Sequence, residues 1–145
     1  MILFSKGNKV IIEKSGNWTL EIDSNWNFKQ IDLNIKARKS NLYSEFVNCT
    51  IKKAPLISLI ARYDNYNLSG KVSEISDFLL SSQLSINLLK SRKASFELNG
   101  KYLIYNCRIG RHDKISLSNI FELIEKLTEE IDKLTDKKNV TQHRV

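Results

Sequence analysis

Apolar and polar residues alternate along the first part of the chain with the period of two that half-buried strands require. Val10-Ile11-Ile12-Glu13-Lys14 leads into Ser15-Gly16-Asn17, a run of turn formers. Trp18, Leu20 and Ile22 then alternate with Thr19, Glu21 and Asp23. Ser24-Asn25-Trp26-Asn27 reads as a second polar turn. The cleanest alternation follows: Ile31, Leu33, Ile35 and Ala37 against Asp32, Asn34, Lys36 and Arg38. Lys39-Ser40-Asn41 turns again, and Tyr43, Glu45, Val47, Cys49 and Ile51 share one parity up to Lys52-Lys53. The pattern predicts an antiparallel β-meander.

The second half mixes periods. Pro55 opens Leu56-Ile57-Ser58-Leu59-Ile60, which fits a short helix or a buried strand; proline in a first turn favours the helix. Residues 64–70 are dense in turn formers and read as a loop. Val72, Ile75, Phe78 and Leu79 recur at helical spacing, with caps among Ser73 to Ser76, and predict a helix over 73–90. The parity of Leu84, Ile86 and Leu88 leaves a strand open for its second half. Ala94, Phe96 and Leu98 alternate up to Asn99-Gly100, and Leu103, Tyr105, Cys107 and Ile109 alternate after it. That is the signature of a hairpin with a type I′ turn at Asn99-Gly100. Leu117, Ile120, Ile124, Leu127, Ile131 and Leu134 form a continuous apolar seam. It predicts a last helix over 117–135, opened by Asn119 and Glu122 as a capping-box variant and packed on the sheet. The expected fold class is α+β: an antiparallel sheet of meander plus hairpin, with a central helix and a C-terminal amphipathic helix against it. Residues 1–136 are expected to form a single domain and 137–145 a flexible polar tail.

The 145 residues suffice for a sizeable core without metal or disulfides, and the 41% hydrophobic content excludes a disordered chain. Cys49 and Cys107 fall on the apolar parity of their strands and read as core thiols. No apolar run approaches a membrane span, and Met1 to Lys6 lacks the basic region of a signal peptide, so a cytoplasmic location is expected. The net charge of +7 is uneven. Residues 115–145 hold five Lys/Arg against six Asp/Glu, which leaves +8 on residues 1–114. A basic body suits an acidic partner, nucleic acid or plain solubility.

Catalysis needs acids, bases, nucleophiles or metal ligands brought together. His112 and His143 stand apart from any ligand spacing, and Glu125, Glu129 and Glu130 read as a solvated helix face. The sequence therefore points to a non-enzyme without cofactor or metal. The basic groups of a nucleic-acid binder would be Lys36, Arg38 and Lys39; Lys52 and Lys53; Lys90, Arg92 and Lys93; and Arg108, Arg111 and Lys114, with Trp26 and Tyr102 to stack on bases. Most of these sit at strand ends, where lysine is expected anyway.

From Ile75 onward the order is leucine-rich helix, hairpin, amphipathic helix. The text runs Phe78-Leu79-Leu80-Ser81-Ser82-Gln83-Leu84-Ser85-Ile86-Asn87-Leu88, then Ala94 to Tyr105, then Leu117 onward. This resembles the C-terminal half of the small type III secretion chaperones of Gram-negative bacteria. The resemblance implies a cytoplasmic homodimer that holds a secreted effector protein before export, without catalysis or cofactor. The chain departs from that family in an N-terminus that reads as strand and in its basic charge. A toxin-neutralising immunity protein or another protein-binding module is the alternative, and a basic nucleic-acid-binding protein the second. Ile75, Phe78, Leu79 and Leu80 crowd more apolar surface onto one helix than a single stripe needs. They are the candidate dimer or partner surface.

Overall fold

The computed structural model describes residues 6–14, 16–42, 44–53 and 66–143; the side chains of Lys6 and of residues 136–143 lie outside the description. Alternation produces β1 (Lys6–Lys14), β2 (Trp18–Trp26) and β3 (Gln30–Lys39), then β4 (Phe46–Lys53). After β5 (Tyr66–Gly70) come two helices, α1 (Glu74–Ser81) and α2 (Gln83–Leu88). The hairpin strands β6 (Arg92–Gly100) and β7 (Tyr102–Gly110) follow, and α3 (Lys114–His143) is the last described element. The seven strands form one antiparallel sheet in the order β1-β2-β3-β7-β6-β4-β5. This is the α+β class, with the last helix packed on the sheet.

One face of the sheet is the core. Trp18, Leu20 and Ile22 of β2 meet Leu33, Ile35 and Ala37 of β3, and Leu103, Tyr105, Cys107 and Ile109 of β7 continue the layer. Ile120, Ile124, Leu127 and Ile131 of α3 close it from above, all of them buried. Each such side chain contributes about 1.5–3 kcal/mol of transfer free energy. The opposite face carries the other parity, including Glu21, Asp32, Asn34, Lys36 and Glu97, and among the described residues no helix covers it. Tyr105 is buried with its hydroxyl donating to the Leu88 carbonyl at 2.6 Å, which ties α2 to the sheet.

Several local expectations differ from the structure. Strand β1 starts at Lys6, ahead of the predicted Val10. Strand β2 runs through Trp26, and the turn lies at Asn27, whose Oδ1 accepts from the backbone N–H groups of Lys29 and Gln30. In β4 the single parity fails: Phe46 faces Gly100 and Cys49 faces Leu98, so a β-bulge takes up an extra residue. Phe46 therefore points inward while Val47 is exposed. The expected loop over 64–70 contains β5, because Leu68 lies opposite Ile51 and packs against the core. Tertiary pairing overrides weak local propensity there. The predicted segment 56–60 lies outside the described residues.

The hairpin loop is Gly100-Lys101 rather than Asn99-Gly100, since Asn99 pairs with Tyr102. Only Gly100 takes a positive φ, the II′ pattern with glycine first. The helix expected over 73–90 is broken at Ser82, whose ψ of 130° is extended. The Ser85 hydroxyl holds the break by donating to the carbonyls of Leu79 and Ser82. At the start of α1, Ser73 and Ser76 form a reciprocal capping box. The last helix begins at Lys114, not near Asn119: Asp113 accepts from the backbone N–H and the hydroxyl of Ser116. It continues to His143 through residues expected as a tail, a stretch that contains neither glycine nor proline.

Candidate functional site

The sheet is wider than its helical cover. Strand β1 is an edge that α3 meets at Lys14, and beside that contact a groove of about 710 Å³ opens between the inner face of β1–β3 and the first turns of α3. Val10, Ile12, Leu20, Ile22, Leu33 and Ile35 form its floor. Leu117, Phe121 and Ile124 form its wall. Alternation dictates the floor: Val10 pairs with Ile22 and Ile12 with Leu20, so all four project to the same side. Val10 and Ile12 stay 42% exposed and Phe121 38%.

Polar groups are confined to the rim. Asn8, Ser24 and Arg111 stand at one end, beside Trp26. At the other end the ammonium of Lys14 lies 3.4 Å from the Thr128 hydroxyl and 3.7 Å from the Glu125 carboxylate. Just beyond it, Lys39 is fully buried. Its Nζ donates to the Gly16 carbonyl at 2.8 Å and to Asp132 at 2.5 Å, and sits 5.3 Å above the Trp18 ring. The Trp18 indole N–H donates to the same carboxylate at 2.8 Å. Asp132 thus clamps α3 to the β1–β2 turn. A side chain at Gly16, where φ is +80°, would be driven into that carboxylate.

Of the four residues expected to form a docking surface, Leu79 is wholly buried and so offers nothing to a partner. Ile75, Phe78 and Leu80 are half-buried against the core. The basic residues are dispersed. Lys39 is buried, and Arg108 is held by Asp32 through two hydrogen bonds of 2.6 and 3.1 Å. That guanidinium keeps the Asp32 carboxyl below the usual carboxylate range. Lys52, Lys53, Lys90, Arg92 and Lys93 do gather, around a shallow depression. Trp26 lines the groove with Arg111 as its basic neighbour, while Tyr102 is exposed beyond the groove. Both cysteines are buried, and burial pushes their thiols up.

The groove was not anticipated. One signal for it exists in the sequence: Val10-Ile11-Ile12 breaks the alternation with three successive β-branched residues, so apolar side chains reach both faces of an edge strand. Phe121 likewise stands off the seam that Leu117, Ile120 and Ile124 define. Among the described residues, no helix is long and apolar enough to cross a membrane. No protein-family model, curated protein or solved structure matches this chain.

Proposed function

We propose that the chain is a non-catalytic protein-binding domain that holds an apolar segment of another polypeptide in the groove between β1–β3 and α3. In this reading it works as a cytoplasmic secretion chaperone, and the segment belongs to an effector kept from folding before export. The observation that carries the reading is the groove itself, an open apolar floor with a charged rim. That is the anatomy of a protein interface, and exposed contiguous apolar surface on a small domain marks a contact site. A basic body adds attraction for an acidic client.

Trp26 lines the groove and reports its occupancy. Short overlapping peptides from candidate clients are titrated against the full chain and followed by tryptophan emission and fluorescence anisotropy. Saturable binding of apolar peptides is expected, weakened at least about tenfold by Phe121→Glu, which corresponds to about 1.4 kcal/mol. The urea midpoint of Phe121→Glu, compared with that of wild type, separates loss of the site from loss of the fold. Equal binding by wild type and Phe121→Glu refutes the groove as the site. The cluster of Lys52, Lys53, Lys90, Arg92 and Lys93 supports nucleic acid as a second reading. Tight binding of short DNA or RNA at about 0.15 M salt, abolished by charge reversal in that cluster, would establish it instead.

A further inference from the structure

Strand β1 is a long edge whose middle, Val10-Ile11-Ile12, is apolar and whose charged residues, Lys6, Lys9, Glu13 and Lys14, flank it. It is nine residues long and pairs with β2 in unbroken register, without a bulge. It contains no proline. Val10, Ile11 and Ile12 are 42%, 64% and 42% exposed, and among the described residues no strand pairs with its outer side. Natural sheets usually blunt such an edge or use it. The opposite edge, β5, has only five residues.

We infer that β1 pairs with β1 of a second copy, antiparallel about a two-fold axis at Ile11, making one continuous sheet across a homodimer. The register follows from complementarity. Centred on Ile11, the pairing sets Lys9 opposite Glu13 of the second copy, twice by symmetry, and Val10 opposite Ile12, with Ile11 against itself. Centred on Val10, it would set Lys9 against Ile11 and Lys6 against Lys14. Centred on Ile12, it would set Ile11 against Glu13 and Val10 against Lys14. Only the Ile11 register opposes unlike charges and matches apolar with apolar. Lys9 lies on the same face as Glu21, with which it pairs, and Glu13 has no ion-pair partner among the described residues.

The axis stands perpendicular to the sheet, so the inner faces of both copies lie on one side. Val10 and Ile12 of each copy then continue the floor of the other's groove. Two separate grooves become one apolar channel flanked by two α3 helices. Dimerisation at β1 stands whether or not that channel takes an effector segment.

Light scattering of the full chain at micromolar concentration is the first test; a particle of twice the 16.8 kDa chain mass is expected. Lys9→Glu and Glu13→Lys each place like charges in opposition and should weaken self-association at least about tenfold. An equimolar mixture of the two variants restores both opposed pairs and should return to the dimer mass, which excludes misfolding as the cause of the single effects. Ile11→Cys should cross-link under oxidation, and Val10→Cys should not. A wild-type chain at 16.8 kDa overturns the inference. So does a dimer that survives both single variants, or a mixture that stays monomeric.

Discussion

Replacing Asp132 by asparagine removes the carboxylate charge that faces the buried Lys39 ammonium. The side chain of Lys39 is 0% exposed and that of Asp132 20%. At an effective dielectric of about 20 the pair attracts by about 4 kcal/mol, and removing one partner of a buried pair costs about 3–5 kcal/mol. Asparagine keeps an acceptor for the Trp18 indole, and the Gly16 carbonyl still accepts from Lys39. The lower end applies, about 3 kcal/mol for Asp132→Asn. In a chain of this size that lowers Tm by about 6–12 °C. Lys39→Met removes the buried charge itself, so the double variant Lys39→Met/Asp132→Asn should lie closer to wild type than Asp132→Asn does. The coupling energy should be about 2 kcal/mol. Urea unfolding of the four proteins at neutral pH measures it, with unchanged m-values confirming a common transition. A cost below about 0.5 kcal/mol for Asp132→Asn would show that Lys39 is not a desolvated charge, and the clamp on α3 would fall with it.

Three further outcomes are expected. Leu127→Ala, at a wholly buried seam position, should cost about 2–5 kcal/mol, and Glu129→Ala on the outer face should stay within about 0.5 kcal/mol; equal urea midpoints for Leu127→Ala and wild type would contradict packing of α3 on the sheet. Gly100→Ala should cost about 1–2 kcal/mol from backbone strain alone, because φ is +61° and a Cβ there meets nothing closer than Glu45 Oε2 at 3.9 Å; a neutral result would mean that the hairpin loop is not the II′ form. Arg108 depresses the pKa of Asp32, and Ser116 that of Asp113, so both groups stabilise the fold above the ordinary carboxylate value of about 3.9. That stability is lost as pH falls through their lower folded values, and a urea midpoint unchanged between about pH 5 and pH 3 would refute the assignment.

Period two along β2, β3, β6 and β7 was enough to identify the buried face of the sheet. The three-four spacing from Leu117 to Ile131 identified the buried face of α3. Both patterns are legible because burial repeats with the local geometry of the element that carries it. Cap candidates for α1 were legible among Ser73 to Ser76, and the structure makes Ser73 and Ser76 a reciprocal pair. What the structure added depends on residues distant in the chain. The bulge in β4 exists because Phe46 and Cys49 must both face the core opposite β6. Segment 66–70 is a strand because β4 offers it an edge. Lys39 looks like a surface turn lysine until Asp132, far along the chain, closes over it. The groove belongs to no single element. Strand order puts β1 at the edge and the Asp132 clamp fixes where α3 lies, so the gap between them is set by tertiary packing, which local periodicity does not encode.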